Sequence, residues 1–407
     1  MKNRLVKNTF MLYLLTAAKI ILPLITLPYL TRVLNEGAYG AVAYVKAFMS
    51  YVQLFIDFGF LLSATKNVTL ARNEKQRLGL IVWDTIVEKL LLAVASFIVL
   101  LICIAFIPLL RENALFAIMY FISILLSVFL VDFYFRGIEK MEMVAIPYII
   151  SKVTSTILTL YVIKNDDDIM LIPILEIAGT AMACTIAIIF FLREKLPFKI
   201  HGMKVLLSDI KDSSVFFASN FATTFLGSFT TIIAGLALSK MEIAYWSVCM
   251  QLVSAVKVMY SPITNSLYPY MLKNPKRKTI NRTLLIFMPI VLVGCAFTYV
   301  FASMILTVLG GRKYAIAGEI LRLLVPVLLF SFPGMMYGWP ALGAIGKEKQ
   351  TTLTTVAAAV FQVCSVLILL STNMISLTSL AISCGLAEFV LFIARFYFYR
   401  KNKGLFI

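Results

Sequence analysis

The chain has 407 residues, of which 61% are hydrophobic and only 14% charged, and its formal net charge is +17. A soluble domain carries about a quarter charged residues, so this composition excludes a water-soluble enzyme. A basic nucleic-acid-binding domain is excluded with it, because no such domain surrounds the excess positive charge. A helix needs about 20 apolar residues to cross the hydrocarbon core, and a mean hydropathy of +0.93 leaves nearly the whole chain to such spans.

The N-terminus reads Met1-Lys2-Asn3-Arg4-Leu5-Val6-Lys7 before a long apolar run that continues past Pro23 and Pro28. It has no short apolar core ending in a small-residue cleavage site, so the first span is expected to be retained. Apolar runs then predict twelve helices, at 8–34, 38–63, 80–108, 114–135, 146–163, 169–192, 214–238, 242–269, 283–309, 317–344, 351–371 and 375–398. Helix is the expected element because lipid satisfies no free backbone group. The short alternating segments of a membrane barrel are absent. The longest polar connection, 193–213, divides the chain into an N-terminal six-helix lobe (1–192), a cytoplasmic linker and a C-terminal six-helix lobe (214–407). Residues 203–211 are either an amphipathic segment on the inner leaflet or an ordinary linker helix. Two six-helix lobes around a central cavity are the expected all-α membrane architecture.

Lysine and arginine crowd into alternate connections. Lys66, Arg72, Lys75 and Arg77 fall on one side, as do Arg136 and Lys140, Arg193 to Lys211, Lys273 to Arg282, Lys347 and Lys349, and Arg400 to Lys403. The opposite loops, such as Asn35-Glu36-Gly37 and Lys164 to Asp168, are short. Cytoplasmic loops retain Lys and Arg, so a polytopic inner-membrane protein with both ends in the cytoplasm is expected.

Polar residues inside the spans carry the functional signal, because an intramembrane charge usually faces protein or water. Lys46, Ser50, Gln53 and Asp57 form one stripe on the second span. Lys46 and Asp57 are about 16 Å apart along a helix axis, so each needs another partner. Lys19 and Thr26 share a face of the first span, with Arg32 near its outer end. Lys19, Arg32, Lys46 and Lys257 would make a cavity cationic, which suits an anionic substrate. Asp57, Glu88 and Glu176 are candidates to exchange a proton or bind a cation, and structural ion pairs explain them equally well. Asn220, Thr223, Thr224, Gly227 and Thr231 share a face of the seventh helix. Gln251, Ser254, Lys257, Ser261 and Asn265 lie within about a third of the circumference of the eighth, at 3.6 residues per turn. Asp84, Asp132, Lys152, Glu388 and Arg395 lie near span ends, where snorkelling or structural pairing is expected.

Signals for an enzyme are poor. The sole histidine, His201, lies in an inner loop and reads as a solvated residue. Cys103, Cys184, Cys249, Cys295, Cys364 and Cys384 all fall in apolar segments without a C-x-x-C pair, so neither disulfides nor a metal site is expected. No P-loop, nucleophile elbow or zinc spacing occurs, and no cofactor is implied. A membrane glycan polymerase or ligase would carry a larger outer loop.

The stretch Pro23-Leu24-Ile25-Thr26-Leu27-Pro28-Tyr29-Leu30-Thr31-Arg32-Val33-Leu34 resembles the first-helix signature of bacterial Wzx-type polysaccharide flippases, in the multidrug/oligosaccharidyl-lipid/polysaccharide exporter superfamily. Gly37-Ala38-Tyr39-Gly40 and Asp57-Phe58-Gly59-Phe60 resemble the opening and close of that family's second helix. Tyr134 to Lys140, Ser266 to Tyr270 and Leu342 to Lys349 follow in order. Asn35 departs from a common Gly, and Arg136 from a common Gln.

This resemblance implies translocation of undecaprenyl-diphosphate-linked oligosaccharide repeat units from the inner to the outer leaflet by alternating access, for O-antigen, capsule or another surface polymer. It implies membrane lipids and a glycan polymerase as partners. Lys19, Arg32, Lys46 and Lys257 become candidate headgroup ligands. Gln53 belongs to the same substrate-facing stripe, Asn220, Thr224, Gln251 and Asn265 become candidate sugar contacts, and Asp57 and Glu88 coupling carboxylates. The alternatives are a multidrug or cation exporter of the same superfamily, in which intramembrane acids should dominate, and a membrane glycan polymerase or ligase. Lipid II flippases typically carry two further helices.

Overall fold

The computed structural model describes residues 2–406, the side chains of residues 2–6, 215, 219, 220, 222, 223 and 225–228 excepted. It is all-α, with no strand among the described residues, and divides into two compact units, Met1–Phe221 and Ala222–Ile407. Among the described residues, eleven spans are long and apolar enough to cross a membrane. The 35-residue helix Met203–Ala237 is a twelfth long helix. The protein is a multi-pass membrane protein.

In the first unit the helices are α1 (Lys2–Val33), α2 (Glu36–Asp57), α3 (Phe60–Leu70), α4 (Lys75–Phe106), α5 (Pro108–Glu112), α6 (Ala114–Ser127), α7 (Asp132–Gly137), α8 (Glu142–Val162) and α9 (Leu171–Leu192). Helix α10 (Met203–Ala237) crosses into the second unit, and residues 203–211 form its first turns rather than a separate linker helix. The second unit continues with α11 (Lys240–Met259), α12 (Ser261–Lys273), α13 (Arg277–Gly310), α14 (Gly318–Met336), α15 (Glu348–Ser371) and α16 (Leu377–Lys401).

Several spans read as single helices in the sequence are broken. The second span breaks between α2 and α3, where Phe58 (φ 35°) and Gly59 (φ 80°) are both left-handed. A Cβ on Gly59 would lie 2.7 Å from both Phe216 Cβ and the Phe217 backbone nitrogen, so α10 approaches closely here. Phe58 stacks on Phe217 with ring centroids 4.4 Å apart, which holds the unusual backbone in place. The fourth span breaks at Val131 (φ 45°) after a 3-10 turn, Val128–Leu130. A β-branched residue at positive φ is a genuine outlier. Such strain persists only where the surroundings over-determine it. The short helices beyond both breaks, α3 and α7, are joined by hydrogen bonds from Thr65 Oγ1 to the Phe133 carbonyl and from Thr69 Oγ1 to the Gly137 carbonyl.

The turn after α1 shows why Asn stands at position 35. Its side chain caps α2 by accepting from Ala38 N at 2.7 Å, and its backbone and side-chain N–H groups both donate to the Asp166 carboxylate. In the second unit α14 runs into a π-helical turn, Tyr337–Leu342, with Gly338 out of helical geometry. Arg395 on α16 is 8% exposed and donates to the Gly334 carbonyl and to Thr355 Oγ1, both at 2.9 Å. Arg395 therefore ties the irregular end of α14 to its neighbours instead of snorkelling to the membrane surface.

Candidate functional site

A cavity of about 460 Å³ lies inside the first unit, lined from α1, α2, α3, α4, α6, α7, α8 and α9. Its size falls in the range of ligand pockets. The stripe predicted on the second span faces it: Lys46, Ser50, Gln53 and Asp57 all line its wall, and Lys19 joins them from α1. The same wall carries Lys89, Arg136 and Lys152, with Asp132 and Glu176 as the remaining acids. Five basic residues thus face three acidic ones, an excess of two positive charges.

The three carboxylates do not neutralise the basic residues evenly. Asp57 ends α2 at the chain break and is committed on both oxygens, to Lys89 Nζ at 2.7 Å and to Gln53 Nε2 at 2.8 Å. Ser127 Oγ donates to Gln53 Oε1 at 3.3 Å and extends this network to α6. Glu176 on α9 is ion-paired with Lys152 on α8. Ser123 and Thr180 share a hydrogen bond of 2.8 Å beside that pair. Asp132 opens α7 beside strained Val131. Both helix breaks therefore deliver a carboxylate to the cavity.

Lys19, Lys46 and Arg136 make no ion pair or hydrogen bond among the described residues. Lys19 Nζ lies 5.2 Å over the Tyr148 ring, a cation–π contact. Arg136 Nε is buried without a hydrogen-bond partner. A buried guanidinium nitrogen left unpaired is costly, so an anion would complete this wall. Hydroxyls from Ser50, Ser123, Ser127, Ser151, Tyr120 and Tyr148 line the rest of the cavity and supply donors and acceptors suited to sugars.

Of the sequence-derived candidates, the structure brings Lys19, Lys46, Gln53 and Asp57 together. Arg32 is exposed in the last turn of α1 and does not line the cavity. Glu88 is 2% exposed on α4 and also lies outside it. In the second unit Lys257 is paired with Glu388 at 2.9 Å, Thr224 and Gln251 are half-buried, and Asn265 is exposed on α12. The side chain of Asn220 lies outside the described residues. Arg136, Lys152 and Asp132 were legible only as loop or span-end charges. The break of the fourth span at Val131 sets the face of Asp132 and Arg136, and the pair with Glu176 sets that of Lys152. His201 is exposed in its connector and is also held on Asp84.

A family model described as polysaccharide biosynthesis protein matches residues 5–275. The chain belongs to that family. The motifs from Pro23 to Tyr270 that carry the Wzx-type resemblance fall inside the matched range, and Leu342 to Lys349 lies beyond it. The chain is 27% identical to a provisionally named O-antigen transporter of Shigella dysenteriae over 358 residues, covering 84% of this chain and 87% of the relative. It is 23% identical to a protein of the same name from Escherichia coli (strain K12) over 414 residues, covering 99% of each. Among solved structures, the lipid II flippase MurJ in an inward closed conformation matches with a TM-score of 0.73 at 13% identity, over 97% of this chain and 87% of that one. An inward-facing MATE multidrug transporter matches with a TM-score of 0.67 at 15% identity, over 96% and 95% of the two chains. These two likenesses show the fold alone.

Proposed function

We propose that the protein is a flippase for a lipid-linked oligosaccharide and makes or breaks no bond. Its cargo on this reading is an undecaprenyl-diphosphate-linked repeat unit, carried from the cytoplasmic to the outer leaflet of the bacterial inner membrane. The observation that carries the reading is the intramembrane cavity whose basic residues outnumber its acids, with Lys19, Lys46 and Arg136 outside every ion pair among the described residues. A drug-cation exporter needs the opposite balance, because cations in a low-dielectric site attract anions and repel other cations. Family membership and relatives named as O-antigen transporters support the same cargo class.

The diphosphate and the first sugars meet Lys19, Lys46 and Arg136, with Gln53 and the wall hydroxyls oriented around them. Arg32, near the outer end of α1, serves cargo on its way out. Lys257, Asn220, Thr224, Gln251 and Asn265 are proposed as further cargo contacts. Asp57 and Glu88 are the proposed coupling carboxylates, and both chain ends face the cytoplasm. A membrane glycan polymerase would receive the product.

The test is a deletion strain in which the leaflet location of the lipid-linked repeat unit and the amount of surface polysaccharide are both measured. Intact units trapped on the cytoplasmic face, released by restoring the gene, are expected. Units that reach the outer face but stay unpolymerised would instead identify an enzyme of polymer assembly. Normal units with normal surface glycan would move the protein to the exporter branch.

A further inference from the structure

Outside the cavity, the inner half of α4 holds a second group of ionisable residues. Asp84 is 4% exposed and Glu88 is 2% exposed, one helical turn apart on the same face. The connector after α9 lies directly on this helix: a Cβ on Gly79 would meet the Pro197 carbonyl oxygen at 2.3 Å. Phe198 packs edge-on against Trp83 with ring centroids 4.7 Å apart. That contact delivers His201, whose backbone N–H donates to Asp84 Oδ1 at 2.9 Å and whose Nδ1 lies 2.6 Å from Asp84 Oδ2. Asp209, on the first turns of α10, lies within electrostatic range of both Asp84 and Glu88, and Asp212 and His201 lie within range of Asp209.

Four carboxyls and one imidazole thus share this region, and Lys89, next to Glu88 in the chain, is bound to Asp57. Glu88 Oε1 is buried with no hydrogen-bond partner among the described residues. An ionised carboxylate buried without a donor is so unfavourable that the group takes a proton or a cation instead. No group of three or more His, Cys, Asp and Glu side chains among the described residues is placed to hold a metal ion. A proton needs no such convergence.

We infer that Glu88, Asp84 and Asp209 form a binding site for one exchangeable proton, closed on the connector side by the His201 imidazole. The carboxyls interact with one another, so the proton belongs to the cluster rather than to one residue. Because His201 is donated by the connector that leads into α10, loading and unloading the site changes how tightly that connector holds α4. On the flippase reading, on which this inference rests, this is the proton that Glu88 contributes to coupling.

The chain has one histidine, so the protein labelled with ¹³C-histidine and purified at full length reports His201 as a single ring resonance. Followed against pH at constant sodium, that resonance is expected to show two inflections, one from the imidazole and one from the carboxyl cluster. Glu88→Gln should abolish the second inflection, and Asp209→Asn, at a half-buried position, should do the same if the first variant fails to fold. A single inflection in the unaltered protein would overturn the site, as would a second inflection that survives both substitutions. A sodium-induced shift at fixed pH, in place of the second inflection, would reassign the site to a metal cation. The resonance titrates without cargo, so its failure leaves the flippase reading standing, whereas normal export in the deletion strain removes that reading without touching the titration.

Discussion

Lys46→Met and Lys152→Met remove lysines from the same cavity and are expected to have different consequences. Lys46 makes no ion pair or hydrogen bond among the described residues, so its loss strands no neighbour, and membrane abundance should stay at the unaltered level. What disappears is a charge facing the cargo. A hydrogen bond to a charged group contributes about 1.5–3 kcal/mol, which is roughly a ten- to 150-fold rise in the cargo concentration for half-maximal transport. Lys152 is paired with Glu176, and their side chains are 31% and 18% exposed. Removing it strands a carboxylate, for which breaking a buried pair costs about 3–5 kcal/mol. Partial exposure on the lysine side puts the expected cost near the lower bound, about 3 kcal/mol. Lys152→Met should therefore lose folded protein, and adding Glu176→Gln should restore it by removing the stranded charge. The assays are abundance in membranes, thermal unfolding of the purified variants, and transport of a lipid-linked oligosaccharide in proteoliposomes. Equal loss of abundance in both single variants would refute the argument from pairing. A half-maximal concentration for Lys46→Met within about twofold of the unaltered protein, well under 1 kcal/mol, would remove Lys46 from the site.

Gly59→Ala meets both a left-handed backbone and a 2.7 Å contact with α10, whereas Gly346→Ala meets a φ of 74° in open space. The second should cost only the conformational penalty of about 1–2 kcal/mol and the first clearly more, so equal melting shifts would refute the close packing at Gly59. Arg395→Met should destabilise the second unit by about 1–3 kcal/mol, because the buried Gly334 carbonyl loses its donor. Arg395→Lys should rescue only part of this loss, since an ammonium lacks the guanidinium fork, and melting temperatures of both variants would decide it. A topology reporter fused after Asp167 should read external, and a cytoplasmic reading would invert the assignment of every loop.

The spans were legible because lipid demands long apolar helices, and a polar stripe such as Lys46–Ser50–Gln53–Asp57 stands out against them. Their breaks were only half legible. Gly59 announces a residue free to adopt positive φ, but Phe58 and Val131 carry no such mark, since tertiary packing imposes their backbone. Each break decides where a carboxylate points. Asp57 ends α2 and reaches Lys89 because the chain turns at Phe58, and Asp132 opens α7 because it turns at Val131. Periodicity identifies the face of a helix but not the neighbour it meets. The pairs Lys89–Asp57, Lys152–Glu176 and Lys257–Glu388 join helices separated by 32, 24 and 131 residues in the chain, and no local pattern encodes them.

The pairing also changes what a charge stripe means. A count of basic residues in the spans treats Lys46 and Lys257 alike, yet Lys257 already has its counter-ion while Lys46 does not. Burial of an ion pair contributes little to stability relative to an apolar replacement, although breaking one is costly. Paired charges therefore shape the walls, and the unpaired ones are where an anionic cargo gains most. By that criterion the first unit's cationic wall is Lys19, Lys46 and Arg136, a set in which Arg136 had been read from the sequence only as a charge that retains its loop in the cytoplasm.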